Sequence, residues 1–199
     1  SLRTIHINFY EPNYHDILVD GWFNESGVRL PATVQINNET LDSVAIRYKG
    51  NSTFFVANDD GNPKLPLNLG VNDIIGGQKL MGYKKLKLAN SILDPTFCKE
   101  ITGYNIYRRY LPSPQANFLN VHVQGNYLGL YTNTESVNKQ FLEKHFDEKD
   151  GVLFKCDPAG QFGQSSLGEA NLDWLGTDST QYFDSYEIKS EVGWGALIN

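Results

Sequence analysis

Cysteine and long apolar runs are both scarce in this sequence. Its 199 residues include two cysteines, Cys98 and Cys156, whose separation matches no metal-binding spacing. We expect buried free thiols, with a single disulfide as the alternative. The four histidines are scattered, which argues against a zinc site. No segment approaches the roughly 20 apolar residues that a membrane-spanning helix requires, so we expect no membrane span.

Positive charge is also in short supply. Lys and Arg number 17 against 23 Asp and Glu, which leaves a net charge of −6. A general nucleic-acid binder needs a basic face that displaces counterions, so we do not expect nucleic acid as a partner. The sequence also lacks the G-x-S-x-G elbow of hydrolases and the Walker loop of P-loop NTPases. A local basic cluster remains, at Lys79 and in Lys84-Lys85-Leu86-Lys87.

Hydrophobic periodicity predicts a core built mainly from strands. Hydrophobic residues make up 40% and aromatics 13% of the chain, which suffices for a sizeable core. Alternating apolar positions predict strands over residues 2–9, 28–36, 41–49, 65–69, 83–89 and 182–189, and a hairpin over residues 117–131. Residues 50–61, 71–82 and 157–180 are predicted as loops. The order of elements indicates an α+β fold with a mostly antiparallel sheet.

Helix signals are fewer and more local. Residues 12–19 are predicted as a short helix, and Asp94-Pro95 predicts a helix start that continues to Leu111. Ser136 is placed to cap a further helix with Phe141 on its apolar face. Glu135 therefore lies where a hairpin ends and a helix begins, a position that favours a cleft-facing carboxylate. The alternative is a solvated acid near a helix N-terminus.

The order of the predicted elements matches the N-terminal lobe of a protein kinase. In such a lobe a loop covers the phosphates, a strand lysine contacts them, and a helix glutamate holds that lysine. The loop here contains Asn51 and Ser52, and the lysine candidates are Lys64 and Lys87. Glu100, one turn into the helix, is placed to reach Lys87. The alternative is that these charged residues are ordinary surface side chains.

An ordered series of short motifs adds a family resemblance. The series is Val44-Ala45-Ile46-Arg47-Tyr48-Lys49-Gly50-Asn51-Ser52-Thr53, Pro63-Lys64, Leu88-Ala89-Asn90 with Asp94-Pro95-Thr96-Phe97, and Asn126-Tyr127-Leu128-Gly129-Leu130-Tyr131 followed by Glu135 and Phe141. Over about residues 41–155, this succession resembles the spore coat protein H (CotH) kinase-like family, in particular its secreted or cellulosome-associated bacterial members.

The resemblance implies a divergent protein-kinase-like N-terminal lobe with a C-helix equivalent and a following helix. It further implies that the lobe binds ATP with Mg²⁺ and that the parent enzyme phosphorylates serines of secreted or coat proteins. By position, Arg47, Asn51 and Ser52 match the R-x-[RK]-G-N-S loop of the family. Lys64 matches the first lysine of its P-K-K segment, and Glu135 matches the acid after its G-L-Y strand.

Two departures from the family pattern affect the predicted site. After Pro63-Lys64 the chain has Leu65 and Asn68 where the family is basic, so Lys87 remains a second choice for the phosphate-contacting lysine. The catalytic and metal-binding aspartates of the family lie in D-x-x-x-x-N-like and W-D-x-D-like stretches, for which no match is found here. We therefore assign no catalytic residue and no metal ligand, and expect this chain alone to be inert in phosphoryl transfer.

The resemblance also organises the chain. We expect N-terminal strands in residues 1–40, the kinase-like core in 41–155, and an insertion with the start of a second lobe in 156–199. The chain begins Ser1-Leu2-Arg3, so we expect that a signal peptide has been removed and that the location is extracellular or at the cell surface. The alternative function is a non-catalytic binding or structural module for protein or polysaccharide. The oligomeric state stays open.

Overall fold

The structure, a computed structural model, describes residues 2–157 and 169–198. It is a mixed α+β protein that divides into two compact units, residues 2–137 and 138–198. The strands of the first unit are β1 (Arg3–Phe9), β2 (Leu30–Ile36), β3 (Glu39–Tyr48), β4 (Leu67–Gly70), β5 (Lys85–Ala89), β6 (Ala116–Val123) and β7 (Asn126–Thr134). Its helices are α1 (Tyr14–Phe23), α2 (Ser52–Asp59) and α3 (Lys99–Tyr107).

The seven strands of the first unit close into a barrel. Their order is β1-β2-β3-β4-β5-β7-β6, and every neighbouring pair is antiparallel except β1 with β6. The predicted antiparallel pair of residues 28–36 and 41–49 is confirmed as β2 and β3, with Ile36 opposite Glu39. The predicted hairpin is confirmed as β6 and β7, whose turn places Gln124 and Gly125 at positive φ. The predicted α+β class with a mostly antiparallel sheet is therefore correct.

The barrel encloses the hydrophobic core. Alternate residues of each strand point inward, as the period of two requires. The apolar strand residues with no exposed surface are Ile5, Ile7, Ala32, Val34, Val44, Ile46, Leu69, Leu88, Val121 and Tyr131. Inside the barrel the Tyr131 hydroxyl donates a hydrogen bond to the Leu65 carbonyl oxygen at 3.0 Å. Intervening residues such as Arg47 and Lys87 point to the outer face, where some positions, Ala45 and Thr132 among them, are also covered.

The segment predicted as a loop at residues 50–61 instead contains helix α2. The loop was predicted from the polar residues around Asn51. Phe54 and Ala57, three positions apart, form one apolar face that this prediction did not take into account. Both side chains are buried, and the Phe54 ring stacks on Trp22 at 4.2 Å. Burial of this face stabilises a helix that polar composition alone did not predict.

Helix α3 begins at Lys99, four residues after Pro95, where the Asp94-Pro95 signal predicted its first residue. The N-cap is Cys98 and not Asp94, although the Asp94 carboxylate still accepts hydrogen bonds from the backbone N–H of Thr96 at 3.1 Å and of Lys99 at 2.8 Å. The intervening turn, with Phe97 at positive φ, separates Asp94 from the first helical residue. Among the described residues of α3 none is buried, so its packing against the barrel is shallow.

Replacing Asp94 by alanine should reduce stability in a pH-dependent way. Hydrogen bonding from Thr96 lowers the pKa of the Asp94 carboxyl, so its contribution is present above the ordinary pKa and is lost as the pH falls through the folded-state value. The difference in urea midpoint between the native protein and Asp94→Ala should therefore shrink from pH 7 to about pH 3. Asp60→Ala, an exposed acid after α2, is the control. A difference that stays constant over this range would contradict the prediction.

The second unit is small. It contains α4 (Lys139–Phe146), β8 (Phe154–Cys156), a 3-10 helix (Ser179–Tyr182), β9 (Tyr186–Ile188) and α5 (Trp194–Ile198). Strands β8 and β9 pair antiparallel, and Phe154 and Phe183 pack on Trp194 with ring centroids 5.0 and 4.8 Å away. The predicted cap of α4, Ser136, is wrong: the N-cap is Asn138, whose side chain accepts from the Phe141 N–H. The predicted loop 157–180 falls partly outside the described residues.

Two predictions about the surface are also tested. Cys98 and Cys156 are both exposed free thiols, so the expectation of buried thiols is wrong. None of the helices in the described part of the chain is long and apolar enough to cross a membrane.

Candidate functional site

A row of polar side chains crosses the outer face of four neighbouring strands. Register places Arg47 of β3 opposite Asn68 of β4, Asn68 opposite Lys87 of β5, and Lys87 opposite Thr134 of β7. Opposite residues in adjacent strands share a face. The sequence neighbours of this row, such as Ile46, point into the core. The row therefore brings two of the predicted site residues, Arg47 and Lys87, onto one surface.

Glu100 reaches the same surface from helix α3. The Thr134 hydroxyl donates a hydrogen bond to Glu100 Oε1 at 2.6 Å. Because Thr134 is the cross-strand partner of Lys87, this bond ties the Glu100 carboxylate to the strand position opposite the lysine. The sequence predicted that Glu100 would be placed to reach Lys87, and the structure puts both residues next to Thr134.

An arginine that the sequence did not single out joins the row at its other end. Arg29, just before β2, donates from Nη2 to the Asn68 side-chain oxygen at 2.9 Å and from Nη1 to the Ala45 carbonyl oxygen at 3.2 Å. Asp73 Oδ2 lies 3.7 Å from Arg29 Nε and sits over Gly70, where an added Cβ would lie 1.9 Å from that oxygen. No local signal marks Arg29, since its partner Asn68 is 39 residues away.

Lys64 lies elsewhere, against aromatic rings. Its ammonium is 4.4 Å from the Phe97 ring centroid and 5.2 Å from that of Tyr131, a barrel-interior residue. The lysine stem also passes Gly129, since a Cβ added to this glycine would be in van der Waals contact with Lys64 Cε at 3.6 Å. Partial burial lowers the pKa of the Lys64 ammonium. Lys64 thus has cation–π partners and is not part of the row.

Asn51 and Ser52 stand at the start of α2 and are tied to the Lys64 segment by a buried amide. Asn90 is 2% exposed, and its Nδ2 donates to the carbonyl oxygens of Thr53 at 3.1 Å and Lys64 at 3.0 Å. One side chain therefore joins the end of β5, the first turn of α2 and the segment before β4. Asn90 is part of the motif Leu88-Ala89-Asn90, but the sequence did not show that its side chain connects these three segments.

Glu135 occupies a third position, at the end of the barrel where β7 finishes. Its carboxylate is buried and accepts from the Gln115 backbone N–H at 3.0 Å. It lines a cleft of about 330 Å³ whose walls include the cationic residues Arg3, Lys85 and Arg108. Glu135 follows Tyr131 by four residues, or roughly 13 Å of strand, which separates it from Lys64. The prediction of a cleft-facing acid therefore agrees with its position.

The seven predicted site residues thus fall into three groups. Arg47, Lys87 and Glu100 share the outer face, Asn51 and Ser52 are linked to Lys64 through Asn90, and Glu135 lines the cleft. Within residues 2–157 and 169–198, no three His, Cys, Asp or Glu side chains converge to hold a metal ion. The charged outer face, with cations on both sides of Asn68 and a carboxylate at each end, is suited to a ligand that carries several negative charges.

Comparison with known proteins supplies the family. A comparison with curated proteins gave no match. A family model described as CotH kinase protein matches residues 46–198, which is most of the chain. The resemblance drawn from the motif series is thereby confirmed, and this chain belongs to the CotH kinase protein family.

Proposed function

We propose that this chain is the nucleotide-binding part of an atypical protein kinase that acts outside the cell or at its surface. The kinase would transfer phosphate from ATP, with Mg²⁺, to serines of coat or other secreted proteins. The observation that carries the proposal is the Thr134–Glu100 hydrogen bond beside Lys87. A strand lysine with a glutamate from the next helix is the pair by which kinases hold the α- and β-phosphates.

The order of elements supports the same proposal. Strand β3, the α2 segment, β4, β5 with its lysine, helix α3 and the β6–β7 hairpin follow each other as in a kinase N-terminal lobe. The place of the glycine-rich phosphate cover is taken by the segment that contains α2. The linker that follows β7 starts at Glu135, so the acid would lie near the point where a kinase grips the base of the nucleotide.

The electrostatics of the outer face fit a polyphosphate. Arg47 Nε is buried and has no hydrogen-bond partner within residues 2–157 and 169–198. A phosphate oxygen would satisfy this donor, and charge-assisted bonds of this kind are stronger than neutral ones. A Mg²⁺ ion would arrive with the nucleotide, coordinated by its phosphate oxygens. We assign neither the catalytic base nor a metal-binding aspartate to this chain, and transfer requires both.

Titration of Mg·ATP tests the proposal. In the intact protein that carries this chain, Lys87→Ala should weaken Mg·ATP binding by about tenfold or more, because a charged partner of the phosphates is lost. Glu100→Gln should weaken it less, since glutamate acts on the nucleotide through the lysine. Lys79→Ala, an exposed lysine in the loop before β5, is the matched control. Isothermal titration calorimetry gives the dissociation constants.

The opposite result has a definite meaning. If the intact protein shows no saturable binding at millimolar Mg·ATP, the kinase proposal fails. The alternative function, a non-catalytic extracellular module that binds protein or polysaccharide, is then favoured. Binding that Lys87→Ala and Lys79→Ala weaken equally would instead show that the nucleotide lies away from the outer face.

A further inference from the structure

Two arginines at the open end of the β2–β3 hairpin, Arg29 just before β2 and Arg47 in β3, meet on the outer face of the barrel. Arg47 lies directly across from Asn68 in the β3–β4 ladder. Arg29 binds the side chain of the same asparagine at 2.9 Å and also its carbonyl oxygen at 3.4 Å. Asn68 therefore has one guanidinium beside it and another hydrogen-bonded to it. Two cations held this close without an intervening acid repel each other.

The burial of these groups makes the repulsion costly. The Arg29 side chain is 23% exposed, and burial first, then the charge of Arg47, lower the pKa of its guanidinium. Asp73 acts in the opposite direction, but its carboxylate lies on the Nε side of Arg29 at 3.7 Å. A partly buried cation pair is stabilised when an anion joins both members.

The hydrogen-bonding capacity of the pair is also incomplete. Arg47 Nε is buried and unpartnered within the described ranges 2–157 and 169–198. Arg29 uses Nη1 and Nη2 on Ala45 and Asn68, and its Nε faces Asp73. The open donor is therefore on Arg47, while Arg29 supplies a fixed positive charge next to it. Arginine donors recognise phosphate oxygens by geometry as well as by charge.

We propose that Arg29 and Arg47 form a phosphate-binding subsite centred on Asn68, with Arg29 as its previously unassigned cation. For the identity of the phosphate carrier, the subsite depends on the proposed function: it would hold the polyphosphate of a nucleotide whose other phosphate contact is Lys87. Lys87 lies on the opposite side of Asn68 from Arg47, so the three cations span adjacent strands about 5 Å apart. A chain of two or three phosphoryl groups matches that span.

Replacing Asp73 tests the subsite most directly, because the subsite predicts a gain of affinity and not a loss. Its carboxylate neutralises part of the Arg29 charge and competes with an incoming anion. Asp73→Asn keeps the shape of the side chain and removes the negative charge. This variant should therefore bind inorganic tripolyphosphate several-fold more tightly than the native protein. A damaged fold does not tighten a specific site, so the gain cannot arise from misfolding.

The experiment is a titration of the intact protein that carries this chain with inorganic tripolyphosphate and, separately, with Mg·ATP. Arg29→Gln and Arg47→Gln should each weaken tripolyphosphate binding about tenfold or more. Arg29→Lys keeps the charge and should recover part of the affinity. Arg109→Gln, an exposed arginine just after α3, is the matched control and should behave as the native protein. Far-ultraviolet circular dichroism verifies the fold of every variant.

The outcomes distinguish failure of the subsite from failure of the kinase proposal. Native Mg·ATP binding that survives Arg29→Gln unchanged overturns the subsite and leaves the proposed function intact. Tripolyphosphate binding that depends on Arg29 and Arg47, without any Mg·ATP binding, supports the subsite and overturns the nucleotide proposal. Tripolyphosphate affinity that is unchanged or lower in Asp73→Asn overturns the subsite even if the arginine variants bind weakly.

Discussion

Phe54→Ala should lower the free energy of unfolding by about 3–5 kcal/mol, the usual cost of deleting a buried aromatic ring. Phe54 is fully buried in α2. Its ring stacks on Trp22 at 4.2 Å and lies 5.5 Å from the ring of Tyr48, at the end of β3. Removing the ring leaves a cavity between α1, α2 and the barrel. Urea denaturation monitored by circular dichroism measures the loss.

The neighbouring residue supplies a matched control. Phe55 lies on the same helix and is only partly buried, so Phe55→Ala should cost clearly less than Phe54→Ala. The comparison tests whether residues 52–59 form a packed helix or the polar loop that the sequence suggested. Equal and small effects of the two substitutions would show that α2 does not pack on the barrel.

Asn90→Ala should lower the free energy of unfolding by about 1–3 kcal/mol, because it removes a buried amide that donates two hydrogen bonds. The acceptors are the carbonyl oxygens of Thr53 and Lys64. The substitution also cuts the connection between the α2 segment and the Lys64 segment. Hydrogen exchange should therefore rise in both segments, and urea denaturation should show the loss of stability.

An exposed asparagine provides the comparison for Asn90. Asn126 lies in the β6–β7 turn, where its side chain makes one long hydrogen bond of 3.4 Å to the Gln124 carbonyl oxygen. Asn126→Ala should change stability by less than about 1 kcal/mol. A similar small effect of Asn90→Ala would mean that water replaces the amide and that Asn90 does not organise the two segments.

Strands were predictable here because their signal is local. The alternation of Leu119, Val121 and Val123 specifies one buried face without knowledge of any partner strand, and Gly125 marks the turn through its tolerance of positive φ. Helix α2 escaped prediction because its apolar face is only Phe54 and Ala57. A face so short is stabilised by what it packs on, and Trp22 of α1 is 32 positions from Phe54 in the chain.

The residues of the candidate site were likewise predicted in part from the sequence and explained in part only by the structure. The motif series brought attention to Arg47, and the element order alone pointed to Lys87 and suggested that Glu100 of the helix approaches this strand lysine. The position of Glu135 was also anticipated, since a hairpin followed by a helix fixes where the connecting acid lies. Lys64 was chosen by its motif match, and only the packing of Phe97 and Tyr131 around it showed its cation–π surroundings.

By itself, the sequence determined the α+β class, the antiparallel hairpins and the family, because periodicity, turn residues and ordered motifs are properties of neighbouring positions. Only the tertiary structure decided that seven strands close into a barrel and that Arg29 joins Arg47 at Asn68. The physical reason is register: the pairing of β3 with β4 sets which side chains share a face. Register depends on contacts between residues far apart in the chain, and no local pattern records them.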